Sequence, residues 1–222
     1  MSKPIIVSID GNIGSGKSTL LKQLQDRRAS QEEIVFVKEP VDEWASIRDL
    51  NGRTMLEMFY EDPDTYAFSF QMMAYISRLA VLKETIEGHP KARVIVTERS
   101  LFTDKHIFAE MLYQAGKIKD VDFQIYSRWF NVFAKEYPVS KTVYVRASPE
   151  TCADRIRRRA RDGESVIDLA YLRDCHEYHE AMIREHTRGQ ELLVLNADLD
   201  MGEPGVQEEW IRKVLDFLCW IQ

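Results

Sequence analysis

Gly11-Asn12-Ile13-Gly14-Ser15-Gly16-Lys17-Ser18-Thr19 decides how the rest of the 222-residue chain is read. The stretch has the phosphate-loop spacing of Gly, any four residues, then Gly-Lys-Ser. Before it, Pro4 to Asp10 reads as a buried strand, and after it Leu20 to Arg28 reads as a helix. This setting matters because such a loop works by aiming successive backbone N–H groups and a helix N-terminus at one anion. The glycines at 11, 14 and 16 let the backbone wrap a phosphate closely. Lys17 supplies a cation for the β- and γ-phosphates, and Ser18 a hydroxyl for Mg²⁺. A glycine-rich turn with no ligand is the plain alternative. Every fixed position and both flanks favour a nucleoside triphosphate site instead.

Composition narrows the class. The length suits one α/β domain, so residues 1–222 are read as a single unit. A net charge of −6 argues against general nucleic-acid binding, which needs a basic surplus. The three cysteines, Cys152, Cys175 and Cys219, lack metal-ligand spacing and read as free buried thiols of a reducing compartment. The first strand begins by about residue 4, which leaves no room for a leader, and no apolar run reaches membrane-spanning length. The expectation is a cytoplasmic enzyme with no membrane or nucleic-acid partner.

Outward from the loop, Ile34 to Val37 reads as a second strand delivering Lys38-Glu39-Pro40-Val41 to its C-terminal end, where ligands of open α/β sheets sit. Residues 42–56 have mixed polarity with a turn at Asn51-Gly52. From Pro63 a helix of about 24 residues runs to Gly88, with Tyr66, Phe70, Met73, Ser77 and Ala80 on one stripe. Ala92 to Thr97 reads as a third strand ending in Glu98-Arg99-Ser100. Helices follow at Phe102 to Ala115 and Val121 to Tyr137. Thr142 to Val145 is a fourth strand, and Pro149 opens a helix in which five arginines crowd into Arg155 to Arg161. Leu169 to Thr187 is helical, Leu192 to Leu195 is a fifth strand, and Val206 to Trp220 is a final amphipathic helix. Five strands separated by helices predict an α/β fold, a P-loop kinase arrangement whose parallel sheet is covered on both faces.

These motifs, in this order, resemble the deoxyribonucleoside kinase family, in particular its deoxycytidine/deoxyguanosine kinase branch. The residues that carry the resemblance are the loop, Glu39-Pro40-Val41 with Trp44, and Phe59-Tyr60-Glu61 with Phe70-Gln71 and Arg78. Glu98-Arg99-Ser100 with Asp104, the arginine cluster and His179-Glu180 complete the set. The resemblance implies ATP-dependent phosphorylation of a deoxynucleoside 5′-hydroxyl, with Mg²⁺, in nucleotide salvage. Glu39 is the implied general base, since a hydroxyl is a poor nucleophile until a carboxylate takes its proton. Glu98 joins Ser18 at the metal, and Arg99 orients the base and the reacting groups; a strand-end ion pair is the alternative for these two. The cluster matches an arginine-rich lid over about residues 155–168. There Arg159 and Arg161 would meet the transferring phosphoryl group and Arg155 would stack on adenine. Arg157 and Arg158 are better read as a solvated helix face.

For the acceptor, the resemblance assigns Tyr60 and Glu180 to the sugar 3′-hydroxyl, Gln71 to the base edge, and Phe70 and Phe108 to its two faces, with Trp44 in the same pocket. Arg78 and Asp104 would crowd a thymine methyl and favour an amino-bearing base, so deoxycytidine or a purine deoxynucleoside is expected over thymidine. A structural salt bridge is the alternative. The chain departs from the family at Asp200-Met201, where relatives often place Asp-Phe beside adenine. It departs again at Gly14-Ser15, where they often carry two small apolar residues. A homodimer packed through the helix from Pro63 and a neighbouring helix is a further implication. Two rivals are a nucleoside monophosphate kinase, which needs extra cations near its acceptor, and a nucleotide-dependent switch, which needs a guanine-reading Asn-Lys-x-Asp segment that this chain lacks.

Overall fold

The computed structural model describes residues 3–28, 32–160, 167–186, 189–199, 202–203 and 205–219. Strand β1 (Ile5–Asp10) leads through the glycine loop into helix α1 (Lys17–Arg27), and β2 (Ile34–Val37) follows. Helices α2 (Val41–Trp44), α3 (Met55–Glu61) and α4 (Pro63–Gly88) precede β3 (Val94–Glu98). Next come α5 (Leu101–Thr103), a π-helical segment (Asp104–Ala109), α6 (Glu110–Gln114) and α7 (Asp120–Phe133). A 3-10 turn (Ala134–Glu136) leads into β4 (Val139–Arg146), then α8 (Pro149–Arg159), α9 (Leu169–His186), β5 (Glu191–Asn196) and α10 (Val206–Cys219).

The strands form one parallel sheet in the order β2-β3-β1-β4-β5. Alternate residues of the same strand enter different cores. Val7, Ile9, Val94 and Val96 pack with α1 and α10, whereas Ile6 and Ile95 pack with Leu82 of α4. Both faces are therefore buried, which is why the strands read as continuous apolar runs. A separate helical core gathers Phe59, Phe70, Tyr75, Ile107, Tyr126 and Cys175 beyond the strand ends. The register sets Val37 beside Thr97 and Ile9 beside Glu98, so Glu39, Arg99 and Gly11 all leave the sheet along one rim.

Several boundaries differ from the sequence reading. Residues 42–56 hold α2 and the start of α3, and α3 is nucleated by a capping box. Thr54 Oγ1 accepts from the Glu57 N–H at 3.2 Å, and Glu57 Oε2 accepts from the Thr54 N–H at 2.6 Å. The Thr-x-x-Glu signal was present, but the surrounding polarity hid it. The single helix expected at Phe102 to Ala115 is interrupted by the π-helical turn, which no apolar periodicity announces. Thr187 and Trp220, the expected ends of two helices, lie outside the described residues.

On α4 the buried face is Ala67, Phe70, Gln71, Ala74, Tyr75, Ser77, Arg78 and Leu82. Of the expected stripe, Phe70 and Ser77 are buried, Tyr66 and Met73 are half-buried, and Ala80 is exposed. Apolar spacing misplaced that face because the helix turns polar side chains toward a cavity. Among the described residues no helix is long and apolar enough to cross a membrane.

Candidate active site

A cavity of about 780 Å³ opens along the rim where β1, β2 and β3 end. Its lining runs from Gly14 to Thr19 and Arg155 at one side, past Glu39, Glu98 and Arg99, to Trp44, Tyr60, Phe70, Gln71, Arg78, Asp104 and Phe108 at the other.

The loop side is built from backbone. Gly16, at φ 105°, is the N-cap of α1, a left-handed conformation that glycine alone adopts without strain. The first N–H groups of a helix have no partner within it, so those of Lys17, Ser18 and Thr19 are presented at this terminus. Gly14 is excluded from substitution for another reason, since a Cβ there would stand 2.7 Å from the Cys152 carbonyl of α8. Asn12 stiffens the bend, accepting the Ile13 N–H at 2.8 Å and donating to the Leu172 carbonyl at 2.8 Å. Lys17 is buried, and its Nζ donates to the Asn12 carbonyl at 2.8 Å. Burial, then repulsion from Arg99, brings its pKa down to about 8. Ser15 Oγ is buried with no protein partner. A buried cation, an orphaned hydroxyl and converging N–H groups suit a polyanion.

Two features tie this side to the next. Ser18 Oγ donates to Glu98 Oε1 at 2.5 Å. Asp10, buried at the end of β1, accepts from Thr103 Oγ1 at 2.5 Å, and Thr103 caps the turn that begins at Ser100. A hydroxyl and a carboxylate in contact suit Mg²⁺, which keeps most of its water and takes few protein ligands.

At the centre, Glu39 Oε1 accepts from Arg99 Nη1 at 2.7 Å and from Arg78 Nη2 at 2.8 Å. Burial pushes the Glu39 carboxyl up, but Arg99, Arg78 and Lys17 outweigh it and hold it at about 2. Arg99 reaches this position through a left-handed backbone at φ 61°, costly for a side chain that bears a Cβ. Its Nε and Nη2 are buried without protein partners, and the guanidinium lies 4.9 Å from the Phe108 ring centre. Such unspent donors fit a phosphate oxygen or a hydroxyl.

In the far pocket Arg78 makes a forked pair with Asp104, Nε to Oδ2 at 2.8 Å and Nη2 to Oδ1 at 3.2 Å, and gives Nη1 to the Glu98 carbonyl at 2.8 Å. Phe70 stacks on Phe59 at 4.6 Å and meets Trp44 edge-on at 5.8 Å. Trp44 Nε1 donates to Ser77 Oγ at 2.7 Å. Gln71 is buried and lines the pocket, as do Tyr60 and Phe108.

Of the residues expected at the acceptor, Glu180 is not brought here. It is absent from the lining; its Oε1 accepts from Arg146 Nε at 2.7 Å and Tyr144 Oη at 2.9 Å. On α9 it is Tyr171 that lines the cavity, and Tyr60 meets it edge-on at 6.3 Å. Buried His179 backs Phe108; burial keeps it neutral and outweighs the opposing effect of the Nδ1–H bond to the Cys175 carbonyl at 2.6 Å. Tyr171 lay in an ordinary helical pattern and carried no sequence signal. Arg155 bridges the loop and the turn after β5, giving one hydrogen bond each to the Ser15 and Leu199 carbonyls at 3.2 Å. Arg159 is exposed and lines the cavity, whereas Arg157 pairs with Asp154 on the outer face. Arg161, Asp200 and Met201 lie outside the described residues.

Comparison with known proteins agrees with this geometry. A family model described as deoxynucleoside kinase matches residues 7–219. The chain is 32% identical over 240 residues to a deoxycytidine kinase of Homo sapiens, covering 96% of this chain and 90% of that one. It is 30% identical over 243 residues to deoxycytidine kinase 2 of Gallus gallus, covering 96% and 89%. A mitochondrial deoxyguanosine kinase of Xenopus laevis is 28% identical over 198 residues, covering 82% and 74%.

Proposed function

Since the chain belongs to the deoxynucleoside kinase family and is a kinase that phosphorylates nucleosides for salvage, we propose that ATP is its donor, Mg²⁺ its metal and deoxycytidine or a purine deoxynucleoside its preferred acceptor. The observation that carries this reading is the single cavity holding both the loop lysine and a doubly clamped buried carboxylate.

The loop N–H groups and Lys17 bind the triphosphate, and Arg155 stacks on its base. Ser18 and Glu98 would hold Mg²⁺, which would supply positive charge against the phosphates when bound. Glu39 takes the proton of the acceptor 5′-hydroxyl as its oxygen bonds to the γ-phosphorus and the bond to the leaving diphosphate breaks. Arg99 supplies donors to the charge spread over the transferring group, and Arg159 and Arg161 close over it as a lid across residues 155–168. Phe70 and Phe108 sandwich the acceptor base, Gln71 reads its edge, Trp44 and Tyr171 wall the pocket, and Tyr60 takes the sugar 3′-hydroxyl. With Glu180 engaged by Arg146, we leave that hydroxyl to Tyr60 alone.

Selectivity rests on the Arg78–Asp104 pair, whose side chains are 7% and 3% exposed and line the acceptor pocket. A carboxylate oxygen there accepts from the exocyclic amine of an amino-bearing base and repels the carbonyl oxygen that thymine carries in place of the cytosine amine. The whole chain acts as one kinase domain. Exposed Val121, Ile125, Trp129 and Val132 form a stripe on α7, and with exposed Ile76 of α4 they suit a homodimer face, which light scattering tests. The free buried thiols Cys152 and Cys175 fit a reducing compartment such as the cytoplasm.

Incubation with ATP, Mg²⁺ and a panel of deoxynucleosides and monophosphates tests the assignment. Transfer to deoxycytidine or a purine deoxynucleoside ahead of thymidine is expected. Transfer to monophosphates alone would overturn the acceptor class, and thymidine as the best acceptor would overturn the argument from Arg78 and Asp104.

A further inference from the structure

The two ends of the acceptor site share one guanidinium. Arg78 Nη2 donates both to Asp104 Oδ1, in the base pocket, at 3.2 Å and to Glu39 Oε1, at the reacting hydroxyl, at 2.8 Å. Its other two bonds, to Asp104 Oδ2 and the Glu98 carbonyl, are both 2.8 Å and fix the plane of the group. Arg78 is buried, so this arrangement is not a solvent-averaged surface contact. Among the described residues, the donors to Glu39 both go to Oε1, from Arg78 and Arg99. Oε2 is thus the oxygen left to take a proton.

We propose that Arg78 is a positioning residue that transmits occupancy of the base pocket to Glu39. The longest of its bonds is the one to Asp104 Oδ1, and that oxygen is where an exocyclic amine of the acceptor base would donate. Once the amine donates to Oδ1, part of the Asp104 charge is met by the base, its already long hold on Nη2 weakens, and the guanidinium is drawn toward Glu39 Oε1. The carboxylate is then clamped with Oε2 toward the hydroxyl. Recognition of the amine is in this way realised in the transition state as well as in binding, so it raises kcat in addition to lowering KM. A pocket that only selected would change KM alone.

The inference rests on Glu39 being the general base, and the test separates the two. The probe is the pyrimidin-2-one deoxynucleoside, which keeps the ring and sugar of deoxycytidine but lacks the 4-amino group. If a purine is the better acceptor, purine deoxyriboside is compared with deoxyadenosine. In the unaltered enzyme the amine-free acceptor should lower kcat about 10-fold or more beyond any rise in KM. In the doubly neutral Arg78→Gln/Asp104→Asn variant the two acceptors should share the same kcat within about 3-fold.

An unaltered enzyme whose kcat is equal for both acceptors would overturn the coupling without recourse to any variant. A gap that persists in a variant that still binds ATP would overturn the role of Arg78. Glu39→Gln is run alongside. If it keeps the unaltered kcat on the amino-bearing acceptor, the base assignment fails and the coupling falls with it, whereas an inactive Glu39→Gln beside equal kcat values sinks the coupling alone.

Discussion

The proposed donor and acceptor sides of the cavity are built by opposite means. The donor side is one contiguous stretch, Gly11 to Thr19, whose working groups are backbone N–H donors aimed by local dihedral angles and by Gly16 at φ 105°. The acceptor side gathers Glu39, Arg78, Arg99 and Asp104 from four segments separated by up to 65 positions, and its working groups are charged side chains that hold one another. A backbone cradle stays intact when one side chain changes, because each N–H keeps its direction. A charge network does not, because removing one member leaves its partner buried and unpaired. Substitutions on the donor side should therefore act on folding and triphosphate affinity, and those on the acceptor side on turnover and selectivity.

The sharpest way to break that contrast is Glu39→Gln. Turnover should fall on the order of 10³-fold with ATP binding near normal. Loss of both together would show that the carboxylate is structural. Next, Gly14→Ala should lower stability by about 1–3 kcal/mol, because the new methyl meets the α8 backbone and the residue keeps φ at +79°. Thermal unfolding measures this, and an unchanged midpoint would mean that the loop and α8 are not packed as described. Arg78→Gln/Asp104→Asn should then shift the deoxycytidine-to-thymidine ratio of kcat/KM by about 10-fold toward thymidine. An unchanged ratio would leave the pair a structural salt bridge.

The smallest effect is a proton count. Lys17 stands at about 8 in the free protein, below its ordinary 10.5, so between these values it is largely neutral. A bound triphosphate favours the ammonium and raises the value, so binding near pH 8.5 should take up part of a proton. Calorimetry in buffers of differing ionisation enthalpy reads this, and proton release would contradict the placement of Lys17 against the phosphates.

Legibility divided along the same line. The loop, the five strands and the parallel sheet were readable because apolar runs, glycine spacing and the Pro149 helix start are local signals. Glu39, Glu98 and Arg99 were readable as strand-end residues, and the register brings them to one rim. Arg78 was read as a partner of Asp104, but its second bond, to Glu39, spans 39 positions and leaves no pattern in the chain. Glu180 was assigned to the sugar and instead faces Arg146, since one step around α9 separates it from the side occupied by His179 and Tyr171.

Sequence alone determined the identity of each strand, the phosphate loop and the set of charged residues available for transfer chemistry, because these depend on residue type and near-neighbour spacing. Tertiary structure decided which of those charges meet. Arg78 and Arg99 converge on one oxygen of Glu39 only because α4 crosses the rim where β2 and β3 end, and because Arg99 takes a left-handed backbone at that point. The physical reason is range: dihedral preference and apolar periodicity act over a few residues, whereas a buried charge finds its partner through space.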